Sequence, residues 1–353
     1  MRNLEEMDFA GKKVLVRCGF DVVMQDGKVV DGSRILSGLK TISYLQKQKP
    51  ELILITSHMG RPEGKFDPAF SNASVASYLS KLLGVQVNLV ENLDELAEVK
   101  SMAGLNGASI FMLENLRFWP EEEAGDEAFA QRVAEGFDVY VNDAFSVCHR
   151  AHASLVGFPK FTEEKCAGFL LEEEYENLKK VKNEPDHPAV LVIGGAKIET
   201  KLPVINFMLK HYDKILVGGK IANEAIDQGI DLGEKVLLPI DFAPAGKEAE
   251  RLDIGVKTSY AFTKEIDQAA TIVWNGPMGK FEDEECSNGT KEILRAIAER
   301  KEDALTVLGG GETVTAVNNF SSISNFDYVS MSGGAMLEFL SGKEMPGLKA
   351  LKE

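Results

Sequence analysis

Eight short runs of β-branched and aliphatic residues, set between longer amphipathic segments, constrain this chain more than any other feature. "KVLVR" (13–17), "LILITS" (52–57), "SIFML" (109–113) and "DVYVN" (138–142) lie in the first half. "AVLVI" (189–193), "KILVG" (214–218), "TIVW" (271–274) and "LTVL" (305–308) lie in the second. Each is nearly continuous in apolar character and gives way to Gly, Asn, Asp or Ser, the pattern of a strand buried on both faces of a parallel sheet. Helical periodicity fills the gaps, as in "SVASYLSKLLG" and "CSNGTKEILRAIAER". The alternation predicts an α/β fold with right-handed crossovers.

A chain of 353 residues is long for one hydrophobic core, so the two sets of runs predict two α/β domains. Between them "AGFLLEEEYENLKKVKN" (167–183) reads as a polar, amphipathic bridging helix closed by the prolines at 185 and 188. The expected boundaries are a first domain over 1–166, the helix over 167–184 and a second domain over 185–335.

Charge narrows the ligands. Against 39 Lys and Arg stand 55 Asp and Glu, a formal net charge of −16, which disfavours nucleic acid and anionic membranes as partners. An anionic substrate therefore needs a local basic cluster. The N-terminus "MRNLEEMDFA" lacks the apolar stretch of a signal peptide, and no uncharged run is long enough to span a membrane. Cys18, Cys148, Cys166 and Cys286 are scattered, without CxxC or zinc spacing, which reads as a reduced, cytoplasmic setting.

Ligands of open α/β sheets bind beyond the carboxyl ends of the strands. In the first half those positions hold Gly19, Phe20 and Asp21, then "SHMGRP" (57–62), "ENLRF" (114–118) and "NDAFSVCHRAHAS" (142–154). Arg34, His58, Arg61, Arg117 and Arg150 fall in or beside them, and guanidinium forks suit carboxylates and phosphates. Arg17 reads as structural, and His149 and His152 as loop or core histidines, since no third metal ligand lies near. In the second half the strand ends carry "GGAK", "GGK", "NGPMG" and "GGGET", loops whose bare backbone N–H groups suit phosphates. No GxxxxGK[ST] or GxGxxG occurs, so neither a P-loop nor a dinucleotide fingerprint is present. Lys197 and Lys201 are four apart, the spacing of one helical face, where like charges repel unless an anion lies between them.

The blocks "VLVRCGFD", "DGSRI", "TSHMGRPEGK", "LENLRF", "VNDAF", "HRAHAS", "AGFLLEEE", "GGAKIETK", "WNGPMGKFE", "GGGET" and "GGAMLEFLSGKEMPGL" occur in one order along the chain. Together they resemble the phosphoglycerate kinase family over nearly the whole length. The resemblance implies two doubly wound parallel-sheet, Rossmann-like domains facing a cleft, with hinge closure, and a tail (336–353) packing back on the first domain. It implies a cytoplasmic monomer, using Mg2+ with ATP or ADP as co-substrate and 3-phosphoglycerate as acceptor. By the same resemblance Gly19, Phe20, Asp21, Arg34, His58, Met59, Gly60, Arg61, Arg117 and Arg150 form the acceptor site. Gly194, Gly195, Ala196, Lys197, Lys201, Gly219, Lys220, Asn275, Glu282, Gly310, Gly311, Glu312 and Thr313 form the nucleotide site. Arg34, Lys201 and Lys197 are implied as catalytic, and Glu312 as the Mg2+ ligand.

The chain departs from the family pattern at five places, one of them Glu312, which stands where the family usually has an aspartate and so lengthens the reach to the metal. "GFD" replaces "DFN", so Gly19 lacks a carboxylate and Asp21 adds one; Lys220 replaces a glycine; the segment after "IAN" is shortened; and "SMSGGA" brings Met331 and Ser332 in place of a threonine and a glycine. Two other readings stay open beside the kinase: a catalytically impaired relative that binds phosphorylated ligands, and a kinase for a related carboxylate.

Overall fold

The computed structural model describes residues 1–101 and 109–353. Two compact units emerge from it: Met1–Tyr175 with Glu344–Glu353, and Glu176–Lys343. The first is built on a six-stranded sheet of β1 (Lys13–Cys18), β2 (Leu52–Thr56), β3 (Val87–Val90), β4 (Ser109–Leu113), β5 (Val139–Asp143) and β6 (Glu164–Ala167), in the order β3-β4-β2-β1-β5-β6. All five pairings are parallel. The second unit holds β7 (Ala189–Ile193), β8 (Lys214–Val217), β9 (Val236–Leu237), β10 (Thr271–Asn275), β11 (Leu305–Gly309) and β12 (Tyr328–Ser330), in the order β9-β8-β7-β10-β11-β12. Its pairings are parallel too.

The eight runs read from sequence are the four central strands of each sheet. Every residue of β2, β5, β7 and β10 is buried, as strands covered on both faces must be. The strands of these two sheets that sequence patterning missed are their four edges, and it missed as well the two-stranded ribbons Val23–Gln25 with Lys28–Asp31 and Phe242–Ala243 with Asp253–Ile254. β3 ("VNLV"), β6 ("EKCA"), β9 ("VL") and β12 ("YVS") are short and only part-buried, so no apolar run marks them.

In each sheet the direction of winding reverses between two neighbouring strands, β1 and β5 in the first and β7 and β10 in the second. Such switch points open crevices at the carboxyl ends of strands. The bridging helix runs over Phe169–Asn183. It starts where the Asp143 carboxylate accepts the Leu170 and Leu171 N–H groups, at 2.9 and 3.2 Å. A Cβ on Gly168 would lie 2.2 Å from that carboxylate, so the residue ahead of the helix has to be glycine.

Candidate active site

At the switch point of the first sheet, β1 delivers Gly19–Asp21 beside the loop that follows β2. That loop turns sharply at Gly60, whose φ is +56°. A Cβ there would meet the Phe70 ring at 2.3 Å, so both conformation and space demand glycine. Gly60 joins two halves of the pocket. Its N–H donates to Asp21 Oδ1 at 2.8 Å and its carbonyl accepts from Arg117 Nη1 at 2.6 Å. Asn115 fixes the same loop, accepting from Met59 N at 3.1 Å and from Arg117 N at 3.0 Å, and donating to the Met59 and Phe70 carbonyls.

Most of the basic side chains of this pocket are already partnered. Arg34 Nη1 donates to the Asp21 carbonyl at 2.8 Å and lies 3.5 Å from its Oδ2. His58 Nε2 is 3.7 Å from that same oxygen. Arg117 is buried, with Nε 3.0 Å from Glu123 Oε1, a charge contact without hydrogen-bond alignment. Arg150 Nε donates to His149 Nε2 at 3.3 Å. Arg61 is exposed and makes no ion pair or side-chain hydrogen bond among the described residues.

Behind the pocket runs a buried polar chain that sequence reading resolved only at its Arg17 end. Arg17 is fully buried and donates to Ser154 Oγ at 2.9 Å, to the Cys18 carbonyl and to His58 Nδ1 at 3.1 Å. Ser154 donates in turn, through N and Oγ, to the buried Glu122 at 2.8 and 2.6 Å. Because Nδ1 accepts from Arg17, the His58 proton sits on Nε2, facing Asp21. Burial, reinforced by Arg17 and Arg117, pushes the His58 pKa well below its ordinary value, so the ring is a neutral donor. His152 is likewise pushed down, to about 3, by burial and by the neighbouring arginines. Arg17, His149 and His152 thus stand as structural and loop residues. Among the described residues, no cluster of three or more His, Cys, Asp or Glu side chains could hold a metal alone.

In the second unit the switch point is closed by glycine packing. A Cβ on Gly194 would lie 2.0 Å from the Pro277 carbonyl, so the loops after β7 and β10 meet backbone to backbone. Beside them lies a cavity of about 490 Å³ whose walls include Gly195, Ala196, Gly219, Lys220, Glu282 and Glu312. Gly310, with φ of +100°, turns the chain into the helix Gly311–Phe320, which places Glu312 in that helix's first turn. Gly194, Asn275 and Thr313 do not line the cavity but sit buried behind it. Thr313 Oγ1 accepts from Gly276 N at 2.7 Å, and Asn275 Oδ1 accepts from Lys201 Nζ.

The helical-face reading of Lys197 and Lys201 does not hold. Lys197 is extended ahead of a 3-10 turn over Ile198–Thr200, and the α-helix begins only at Leu202. Pro203 sets that start, since proline suits the first turn of a helix and breaks an interior. The two lysines differ accordingly. Lys197 is exposed without a side-chain partner among the described residues, whereas Lys201 is buried at 8% exposure. Burial lowers the Lys201 pKa to about 8, opposed by the Glu312 carboxylate.

A family model described as phosphoglycerate kinase matches residues 4–244 and 239–343. The chain belongs to the phosphoglycerate kinase family. It is 38% identical to the phosphoglycerate kinase of Desulfotalea psychrophila, with all of both chains covered. It is 35% identical to that of Clostridium tetani over all of this chain and 98% of the relative. That alignment runs over 395 positions, more than the chain has residues, so the relative carries segments this chain lacks. Among solved structures, the phosphoglycerate kinase of Coxiella burnetii matches with a TM-score of 0.89 and 34% identity, over 99% of this chain and 98% of that one. That of Pyrococcus horikoshii matches with a TM-score of 0.83 and 31% identity, over 100% and 98%.

Of the residues implied by this family, Phe20, Asp21, Arg34, His58, Met59, Gly60 and Arg117 are tied to one another through the loop at Gly60 and the Arg17 network. Residues that sequence reading missed fall into two kinds. Asn115, Glu122 and Ser154 lay inside or beside quoted blocks but carry ordinary polar letters. Phe281 and Asn223 lie in quoted stretches but were not singled out, whereas Arg251 and Leu252 line the cavity from a segment brought there only by the fold.

Proposed function

We propose that the chain catalyses reversible phosphoryl transfer between ATP and the carboxylate of 3-phosphoglycerate, the reaction from which its family is named. The observation that carries this reading is the gathering of Arg34, His58 and Arg117 about Gly60, at the switch point of the first sheet. Guanidinium forks and a neutral imidazole N–H there suit a small acid that carries both a phosphate and a carboxylate.

The acceptor carboxylate is ionised at neutral pH and attacks directly, so no general base and no covalent enzyme intermediate are needed. What the residues supply is position and charge. Arg34 and Lys201 neutralise the phosphoryl group in transit, Lys197 holds the nucleotide phosphates, and Arg61, Arg117 and Arg150 hold the acceptor. Asn275 keeps Lys201 aimed by accepting from its ammonium. Glu312 would hold Mg2+; one carboxylate at a cavity wall fits an ion that takes its remaining ligands from phosphates and water, and that ion would offset phosphate charge. We further infer a cytoplasmic monomer. Four unpaired, buried thiols suit a reducing compartment, and no helix among the described residues is long and apolar enough to cross a membrane.

The test is a coupled assay with 3-phosphoglycerate and Mg-ATP, run beside calorimetry for each ligand. Turnover is expected. Binding of both ligands without turnover would instead establish a non-catalytic relative, and turnover only with another phosphorylated acid would reassign the acceptor.

A further inference from the structure

We propose that Ser146 is a specificity residue of the acceptor site, its hydroxyl forming a hydrogen bond with the hydroxyl that the bound acid carries between its carboxylate and its phosphoester. This inference rests on the crevice of the first unit being the 3-phosphoglycerate site, as above.

That crevice opens between β1 and β5, and the chain segments that leave the two strands meet in it. Cys18 at the end of β1 pairs with Asp143 at the end of β5. Beyond them the chain leaves the sheet at Gly19 on one side and at Ala144 on the other, where a 3-10 turn over Phe145–Val147 follows. The turn brings Ser146 back toward β1. A Cβ on Gly19 would have Ser146 Oγ as its nearest neighbour, at 3.3 Å, with Ala144 Cα and Cβ next at 3.9 Å. The hydroxyl therefore borders the space that a side chain at position 19 would fill and that glycine leaves open. Gly19 and Ser146 are both part-exposed, whereas Cys18, Phe20, Phe145 and Val147 on either side of them are buried. A small molecule in the crevice can thus reach both.

The hydroxyl of Ser146 is also uncommitted, unlike the other polar groups around it. Ser57, which follows β2, is buried and engaged twice: its Oγ accepts from Phe20 N at 3.0 Å and donates to the His58 carbonyl at 3.2 Å. Ser154 is tied to Arg17 and Glu122. Asp21 gives Oδ1 to the Gly60 N–H and turns Oδ2 toward Arg34 and His58. Ser146 makes no side-chain hydrogen bond among the described residues. Chemistry then selects its partner. Arg34, Arg117 and the Nε2 side of His58 offer a ligand only donors, which suits the phosphate and the carboxylate. The acid's remaining polar group is an alcohol, which both gives and takes a hydrogen bond, and a serine hydroxyl does the same.

The experiment is calorimetry on the full chain with 3-phosphoglycerate and with 3-phosphonooxypropanoate, the same acid without the hydroxyl. The unmodified chain is expected to bind 3-phosphoglycerate about fivefold more tightly than the deoxy acid, the net effect of one neutral hydrogen bond. Ser146→Ala should erase that preference by weakening 3-phosphoglycerate about fivefold, with the deoxy acid and ADP unmoved. Ser146→Thr keeps a hydroxyl and should keep the preference. Thermal melts check the fold, and a general loss of structure would move ADP and both acids together. The inference is overturned if Ser146→Ala binds 3-phosphoglycerate as tightly as the unmodified chain. It is overturned equally if the variant weakens both acids by one factor, since the serine would then serve a group they share. Failure of both acids to bind the unmodified chain would sink the acceptor-site reading as well, whereas equal binding of the two sinks this inference alone.

Discussion

The two ligand regions handle positive charge in opposite ways. In the first unit three arginines are partnered before any ligand arrives, Arg17 within the core, Arg34 on Asp21, and Arg117 on Gly60 and Glu123, while Arg61 stays exposed. In the second, Lys197 and Lys220 have no side-chain partner among the described residues, and Lys201 donates to a neutral amide with the Glu312 carboxylate as its charged neighbour. A small acid that must be oriented gains from donors fixed in advance, because their ordering entropy is lost during folding rather than during binding. A polyphosphate brings enough charge, and its own cation, to organise mobile lysines around itself.

The strongest way to break this contrast is to cut the first network at its root. Arg17→Leu removes a buried charge and leaves His58 and Ser154 short of a donor. It should lower stability by about 3–5 kcal/mol in urea denaturation, the usual effect of breaking a buried charged network. A loss below about 1 kcal/mol would mean that the network is not a structural anchor. Next in size, Arg34→Ala should lower kcat at least about a hundredfold, since its charge is used chiefly on the moving phosphoryl group, while Arg117→Ala acts mainly on KM for the acceptor. If both variants moved only KM, Arg34 would be a binding residue like its neighbour.

The second unit is sharpened by pH. Burial pushes Lys201 down to about 8, and the reaction needs its charged form. The charge is therefore present below that value and lost above it. A profile of kcat/KM for the nucleotide should fall as pH rises through about 8, by about tenfold per unit beyond it. A flat profile to about pH 9.5 would refute the assignment. The smallest effect belongs to Asp21, whose carboxylate occupies Gly60 N–H and faces Arg34. Asp21→Asn should release Arg34 for the acceptor and lower KM for 3-phosphoglycerate severalfold, about 1 kcal/mol, with ADP binding unchanged. A raised KM would instead show Asp21 to be a ligand for the substrate hydroxyl, reaching past Gly19.

What was legible in the sequence follows the same physics. The central strands announced themselves because burial on both faces leaves room only for apolar letters, and the glycine loops because Gly60 and Gly194 admit no side chain. The arginines of the acceptor site were legible from their position after strands. Edge strands were not, since two to four residues are too few to show the alternation of a half-buried strand. The Glu122–Ser154 pair was hidden because a buried carboxylate and a surface one share a letter, and only the fold, bringing residues 32 positions apart into contact, tells them apart. Lys197 and Lys201 were placed on one face by spacing alone, and Pro203 overruled it.

The segment that reads as shortened against the family pattern holds β9, the two-residue strand at one margin of the second sheet. A parallel sheet can lose material there at little expense, because the margin strand covers no neighbour on its outer side and its removal opens no void among the central strands. A margin of two residues also offers a passing chain hardly any unpaired backbone on which to register. Trimming at β9 thus shortens the polypeptide while guarding it against sheet-to-sheet self-association, which a deletion that bared β8 (Lys214–Val217) would invite.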